Sequence, residues 1–289
     1  MDRPRVLITH RPFPYTVELL TAHCDVDVNQ TPDTLSAAEL RARAAGVDGL
    51  LVFMPDVIDT DLLDACPRLQ VITAALKGYD NIDVAAAAQR GITVTIVEDL
   101  LTEPTAELAV ALLLAAARRV GEGDRLVRSG RFGGWRPALY GLGLAGSTVG
   151  LLSFGAIGQA IARRLAGFGC HLLHADPAVT DNRHGSRQVG IDELFSGCDA
   201  VVVSAPLTPQ TAGMVGAKQL ARLPAHAVLV NVGRGSVVDE DAVASALNRG
   251  SLGAYAADVF AFEDWARPER PPGIPEQLRT QERTIFTPN

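Results

Sequence analysis

Short β-branched runs alternate with helical patterns along almost the whole chain, and this alternation restricts the fold more than any other feature. RVLITH (residues 5–10), GLLVFM (residues 49–54) and AVLVNVG (residues 227–233) are typical of buried strands, and segments with helical apolar spacing separate such runs. Strands that alternate with helices form βαβ units, whose strands pair in parallel. The predicted fold class is therefore α/β, with doubly wound parallel sheets.

The same alternation starts twice along the chain and indicates two domains. A long helix is predicted over residues 105–129, because Pro104 suits a first helical turn and Gly130 suits a helix stop. We place the boundary just before this helix, with one domain over residues 1–100 and a second over residues 101–289. A chain of 289 residues has room for two domains of ordinary size.

The composition excludes several classes of partner. The chain has 26 Lys+Arg against 33 Asp+Glu, and this net charge of −7 argues against a nucleic-acid-binding protein. The longest apolar stretch, residues 108–117, is too short to span a bilayer, and the N-terminus lacks the apolar core of a signal peptide. The four cysteines lie far apart, which favours neither a metal site nor a disulfide framework. We expect a cytoplasmic protein.

A glycine-rich turn is the first candidate binding site. The segment GLLSFGAIG (residues 150–158) joins a predicted strand to a predicted helix and resembles the G-x-G-x-x-G pattern, with Ser153 at the first glycine position. Gly155 would let the backbone approach a pyrophosphate, and Gly158 would let the helix pack closely on the strand. The helix start, at Ala156 and Ile157, would offer free N–H groups to the anion. By itself the motif is equally typical of an ordinary tight turn.

An acidic residue in the right place strengthens the nucleotide-binding interpretation. Asp176 ends the next predicted strand, CHLLHAD, eighteen residues beyond Gly158. An acid at this position accepts hydrogen bonds from the adenosine ribose hydroxyls and repels a 2′-phosphate. The pattern therefore predicts NAD rather than NADP as the cofactor.

Several longer motifs extend the pattern over the whole chain. They are PTAELA (residues 104–109), GLLSFGAIG, NVGRGSVVDE (residues 231–240), AADVF (residues 256–260) and FTP (residues 286–288). With these motifs the chain resembles the D-isomer-specific 2-hydroxyacid dehydrogenases. FMPD, ALKGYDN, GWRPALYGLGL and FEDWARPERP resemble the phosphite (phosphonate) dehydrogenase branch of that family. The resemblance implies a flavodoxin-like substrate domain, a Rossmann NAD-binding domain and a homodimer.

The resemblance also implies roles for charged residues. Arg234 matches the position that anchors the substrate, and a guanidinium suits a carboxylate or a phosphite through two parallel hydrogen bonds. Glu263 matches the glutamate that orients the catalytic histidine, and Lys77 would add a second cation for a small anionic substrate. Thr105 and Asp258 match positions beside the nicotinamide carboxamide, and Pro206 and Val232 match further cofactor contacts. The expected walls of the substrate pocket are Met54, Leu101, Trp135 and Tyr140.

The implied reaction is hydride transfer to NAD from phosphite, giving phosphate, or from a small D-2-hydroxy acid. The family takes the proton with a histidine in a T-P-H-x-G motif and then returns the chain to the first domain. Here Thr287 and Pro288 precede Asn289, and an amide is not a base near neutral pH. Three interpretations stay open: a shortened version of a longer enzyme, a slow dehydrogenase that relies on water and Glu263, and a non-catalytic NAD-binding module.

Overall fold

The computed structural model describes residues 3–289 and divides the chain into two compact units. The first unit holds the described residues up to Leu101 together with Asp264–Arg270, and the second holds Thr102–Glu263 and Pro271–Asn289. Each unit is built on one sheet, which has five strands in the first unit and seven in the second. All strand pairings within the two sheets are parallel. The predicted fold class is therefore confirmed.

The first unit has the strand order β2-β1-β3-β4-β5, which is the flavodoxin-like order. Its strands are shorter than the sequence runs that predict them. The strands are β1 (Arg5–Ile8), β2 (Asp25–Val28), β3 (Gly49–Val52), β4 (Val71–Ala74) and β5 (Thr93–Thr95).

Side-chain caps explain where the helices of the first unit begin. Ser36 accepts a hydrogen bond from the backbone of Glu39, whose carboxylate accepts one from the backbone of Ser36, so the two residues form a capping box. Asp83 caps a helix that the alanine-rich sequence after it does not predict by periodicity. The helices are α1 (Pro14–Thr21), α2 (Ala37–Ala44), α3 (Thr60–Asp64) and α4 (Val84–Gln89).

The second unit has the strand order β12-β11-β10-β9-β6-β7-β8. Leu152, the last residue of β6, pairs in register with Ala175 of β7 and Val203 of β9. The residues that follow these strands therefore meet at one edge of the sheet. The strands are β6 (Thr148–Leu152), β7 (His171–Ala175), β8 (Ser186–Gln188), β9 (Ala200–Val203), β10 (Val228–Asn231), β11 (Ala254–Ala257) and β12 (Thr284–Phe286).

The prediction of one long helix over residues 105–129 is wrong in detail. The structure has α5 (Thr102–Ala117) and α6 (Val120–Arg128), separated where Arg119 takes a left-handed φ of 54°. The carbonyl of Ala117 accepts a hydrogen bond from Leu142 N (2.8 Å), and Arg119 is ion-paired with Glu122. Contacts with a distant segment thus stabilise a break that helical periodicity does not indicate.

Helices cover both faces of the seven-stranded sheet. The central strands β9 and β10 are buried along their whole length, as expected for strands covered on two sides. Among residues 3–289, no helix combines the length and apolar character needed to cross a membrane. The remaining helices are α7 (Ala156–Leu165), α8 (Ile191–Gly197), α9 (Ala217–Leu220), α10 (Glu240–Asn248) and α11 (Glu276–Arg279).

Candidate functional site

The candidate site lies at the carboxyl edge of the seven-stranded sheet. The strand order changes direction at β6, because the chain continues first to β7 on one side and later to β9 on the other. In open parallel sheets, ligands bind outside the carboxyl ends of the strands at such a switch point. Ser153, Asp176, Ser204, Val232 and Asp258 each directly follow one of the strands that end here.

The glycine-rich turn has the geometry that its sequence predicts. Ser153 takes a φ of 77°, the left-handed conformation that a glycine normally supplies, and its N–H donates to Ala175 O at 2.9 Å. A Cβ at Gly158 would lie 2.5 Å from Ser153 O, so this position requires glycine. A Cβ at Gly155 would meet no atom of the described residues within 4 Å. Space is therefore left above the turn, where α7 begins.

Asp176 is held by four hydrogen-bond donors. Its Oδ2 accepts from Phe154 N (2.7 Å) and Ser153 Oγ (3.3 Å), and its Oδ1 accepts from Ala178 N (2.8 Å) and Val179 N (3.2 Å). Burial by itself would raise the pKa of Asp176, but these hydrogen bonds outweigh it and hold the pKa below its usual value. The group is therefore an immobilised carboxylate at neutral pH.

These features fit a dinucleotide. The first N–H groups of α7, from Ala156 to Gly158, lie at the positive end of the helix dipole, and the turn leaves the backbone open at Gly155. The distance along the chain from this turn to Asp176 is that of a ribose-binding acid. The residues present can therefore hold a pyrophosphate at the turn and an adenosine ribose beside Asp176.

Arg234 lies on a closed loop directly after β10. Asn231 is fully buried; its Nδ2 donates to Arg234 O (3.0 Å) and its Oδ1 accepts from Gly233 N (3.1 Å). A Cβ at Gly235 would lie 1.8 Å from the backbone carbon of Phe260, so the loop is pressed against the segment after β11. This packing fixes the backbone from which the guanidinium extends.

Two of the acidic residues after β11 belong to the predicted site. Burial raises the pKa of Asp258, although Thr287 Oγ1 donates to its Oδ1 at 2.5 Å. Glu263 follows five residues later, and its Oε2 accepts from Phe260 N at 3.0 Å. The backbone N–H of Asn289 donates to Asp258 O at 3.0 Å, which brings the FTP motif to the same strand end.

The other predicted cofactor residues are in the second unit. Thr105 is half-buried in the first turns of α5. Val232 is buried after β10, and Pro206 is exposed after β9, with its carbonyl accepting from Thr211 Oγ1 at 2.6 Å. Two of these three, Val232 and Pro206, thus follow strands that end at the candidate site.

The predicted substrate-pocket residues and the predicted catalytic Lys77 are divided between the two units. Lys77, Met54 and Leu101 belong to the first unit, where Lys77 follows β4 and Met54 follows β3. Trp135 and Tyr140 lie between α6 and β6 in the second unit, and 83% and 81% of their surfaces are exposed. The structure does not bring these two rings into a pocket of their own unit. Within residues 3–289 there is also no group of three or more side chains suited to a metal ion.

Sequence reasoning missed two residues that hold the site. Asn231 closes the Arg234 loop, and an asparagine directly before a Gly-containing loop was an available signal. His174 is a fully buried polar residue in the apolar run of β7, and that contrast was visible in CHLLHAD.

Comparison with known proteins agrees with this geometry. Residues 110–289 match the family model described as D-isomer specific 2-hydroxyacid dehydrogenase, NAD binding domain. A glyoxylate reductase of Thermococcus onnurineus is 36% identical over 99% of this chain and 86% of its own length.

Solved structures of dehydrogenases and reductases also resemble this chain. An NADPH-dependent glyoxylate/hydroxypyruvate reductase from Sinorhizobium meliloti, in complex with NADP and malonate, has a TM-score of 0.85 and 33% identity over 99% of this chain and 86% of that one. A D-lactate dehydrogenase from Aquifex aeolicus, complexed with NAD and lactic acid, shares the fold, with a TM-score of 0.85 and 23% identity over 98% and 87% of the chains. This chain belongs to the D-isomer-specific 2-hydroxyacid dehydrogenase family.

Proposed function

We propose that this chain transfers a hydride between NAD and a small 2-hydroxy acid or its 2-oxo counterpart, of the size of glycolate and glyoxylate. One observation carries the proposal: a carboxylate held by hydrogen bonds, Asp176, and a fixed arginine loop, at Arg234, follow strands of the same sheet at its carboxyl edge. The names of the relatives support the choice of glyoxylate as the first substrate to test.

The cofactor supplies the hydride chemistry, and the protein supplies binding and charge. Arg234 would bind the carboxylate of the substrate through two parallel N–H groups, on a backbone that Asn231 holds in place. Glu263 lies in the segment after β11, where its Oε2 accepts a hydrogen bond from Phe260 N, and we assign it the handling of a proton. From the family resemblance we also propose Lys77 as a cation for the substrate anion.

We further propose that NAD is preferred over NADP. A carboxylate oxygen has room for about two hydrogen bonds, and both oxygens of Asp176 already accept two. The longest of the four, from Ser153 Oγ at 3.3 Å, is the one that a ribose hydroxyl would replace. A 2′-phosphate would instead meet a fixed negative charge.

Phosphite is a second candidate substrate. The motifs FMPD, ALKGYDN, GWRPALYGLGL and FEDWARPERP favour it, and Arg234 and Lys77 suit a small oxyanion of phosphorus as well as a carboxylate. The non-catalytic NAD-binding module is the alternative, because Asn289 occupies the position of the family's histidine.

One set of assays separates these functions. NADH absorbance is followed with glyoxylate in the reductive direction and with glycolate, D-lactate or phosphite in the oxidative direction, while NAD binding is measured in parallel. Turnover of the organic acids supports the first proposal, and turnover of phosphite alone supports the second. NAD binding without turnover of any substrate would refute both enzyme proposals and leave the binding module.

We also propose a homodimer, on the basis of the family. Light scattering on the purified chain tests it, and a monomeric mass at micromolar concentration would exclude the proposal.

A further inference from the structure

A buried histidine contacts two residues whose backbone holds Asp176. His174 belongs to β7, two residues before Asp176, and its side chain is fully buried. A polar ring in an apolar core costs free energy unless its nitrogen atoms are hydrogen-bonded. Its partners therefore indicate what the ring does at this position.

Both ring nitrogens have partners. Nε2 lies 3.3 Å from Val179 O and Nδ1 lies 3.0 Å from Ser186 Oγ. A carbonyl oxygen only accepts, so Nε2 carries the hydrogen and Nδ1 accepts from the Ser186 hydroxyl. Burial lowers the pKa of His174, which agrees with a neutral ring at pH 7.

The flat side of the ring has a third contact. The imidazole of His174 stacks on the ring of Phe154, with 4.0 Å between the ring centroids and 14° between the planes. Phe154 belongs to the glycine-rich turn, whereas Val179 and Ser186 come from the segments after β7 and in β8. One side chain thus joins three segments that are separate in the sequence.

Two of these segments hold Asp176. Phe154 N donates to Oδ2 at 2.7 Å, and Val179 N donates to Oδ1 at 3.2 Å. The imidazole therefore contacts Phe154 and Val179, the two residues whose backbone N–H groups bind different oxygens of the carboxylate. Displacement of the ring would therefore move the N–H donors of both carboxylate oxygens.

We propose that His174 is a positioning residue for dinucleotide selection, which holds the Asp176 carboxylate where it binds a ribose and repels a 2′-phosphate. The inference rests on the proposed preference for NAD over NADP and names a residue that increases this preference. A carboxylate that loses its fixed donors can turn away from the ribose. NAD would then lose the hydrogen bond between its ribose and Asp176, whereas the carboxylate would no longer repel the 2′-phosphate of NADP.

The test compares two substitutions in the full chain. His174→Phe keeps a flat ring against Phe154 and removes both hydrogen bonds. His174→Gln removes the stacked ring, but its amide nitrogen reaches the place of Nε2 and restores the donor to Val179 O. Dissociation constants for NAD and NADP are measured by fluorescence titration for each variant.

We expect His174→Phe to weaken NAD binding by about threefold to tenfold, the effect of one or two lost hydrogen bonds, and to leave NADP binding within about twofold. The preference for NAD, which is the ratio of the two dissociation constants, therefore falls, and His174→Gln recovers part of it. His171→Phe is the matched control, because His171 is an exposed residue of the same strand. Its binding constants should equal those of the wild type.

Two results would overturn the inference. One is an equal change for NAD and NADP in His174→Phe, which would show a general structural role. The other is an unchanged ratio in a folded variant. If His174→Phe fails to fold, Ser186→Ala replaces it and is expected to lower the preference by about twofold, since it removes only the hydroxyl bound to Nδ1.

Hydrogen exchange gives a readout without nucleotide. The amides of Ala178 and Val179 donate to Asp176 in the wild type and should exchange faster in His174→Phe but not in His171→Phe. Unchanged exchange of these amides in His174→Phe would refute the proposal that His174 holds the donors of Asp176 in place. These binding and exchange measurements need no turnover, so a failed dehydrogenase assay would refute the proposed reaction and leave this inference standing.

Discussion

Two glycines of the glycine-rich turn, Gly155 and Gly158, should respond differently to substitution by alanine. A methyl group added at Gly158 would lie 2.5 Å from the carbonyl oxygen of Ser153, well inside van der Waals contact. A methyl group added at Gly155 would meet no described atom within 4 Å, in the space where we propose that a pyrophosphate binds. Gly158→Ala should therefore damage folding, whereas Gly155→Ala should damage binding.

The magnitudes follow from the two environments. At Gly158, overpacking against a backbone atom costs about 1–3 kcal/mol. The better helix propensity of alanine returns about 1 kcal/mol of this within α7. At Gly155, where φ is −67° and ψ is −161°, alanine adopts the backbone without strain. The loss of a favourable N-cap glycine and the gain from a less flexible unfolded chain are each about 0.5–1 kcal/mol and nearly cancel.

The assay pairs thermal unfolding with NAD titration for both variants. The net cost of about 0–2 kcal/mol should lower the unfolding midpoint of Gly158→Ala by up to about 8 °C. Gly155→Ala should keep the wild-type midpoint and weaken NAD binding by at least about tenfold, because the pyrophosphate loses its close approach to the backbone. Wild-type NAD affinity in Gly155→Ala would refute the assignment of the turn. A raised midpoint in Gly158→Ala, the result expected from helix propensity alone, would refute the packing argument.

Three further outcomes are expected. Asp176→Ala should weaken NAD binding by about tenfold and NADP binding much less, and an equal loss in fluorescence titrations would contradict the role of the acid. Because hydrogen bonds lower the pKa of Asp176 in the folded chain, this group stabilises the fold above its unfolded pKa and loses that effect as the pH falls through the folded value. Circular dichroism should therefore show Asp176→Asn to be less sensitive to acid than the wild type below about pH 4. If the chain turns over glyoxylate, Arg234→Lys should raise KM by about tenfold or more with NAD affinity unchanged, since lysine keeps the charge but not the two-point geometry; an unchanged KM would exclude Arg234 as the anchor.

Local pattern was enough to predict much of the site. The turn from Ser153 to Gly158 and the acid at Asp176 were placed correctly along their strands and helix, because strand, turn and helix signals lie within about thirty residues. Local pattern did not reveal the break at Arg119, which depends on the approach of Leu142 to the carbonyl of Ala117. The short elements α4, β8 and α11 were also missed, since three to six residues carry too little periodicity.

The sequence by itself determined the α/β class, the parallel pairing and the glycine-rich turn, because each follows from the order of neighbouring residues. The tertiary structure decided which groups hold the functional side chains. His174, Phe154 and Val179 surround Asp176 only because separate segments are packed at one sheet edge. Packing likewise places Asp264–Arg270 with the first unit, far along the chain from the rest of that unit. Such contacts join residues distant in sequence, so their energies depend on strand register and packing, which no local pattern contains.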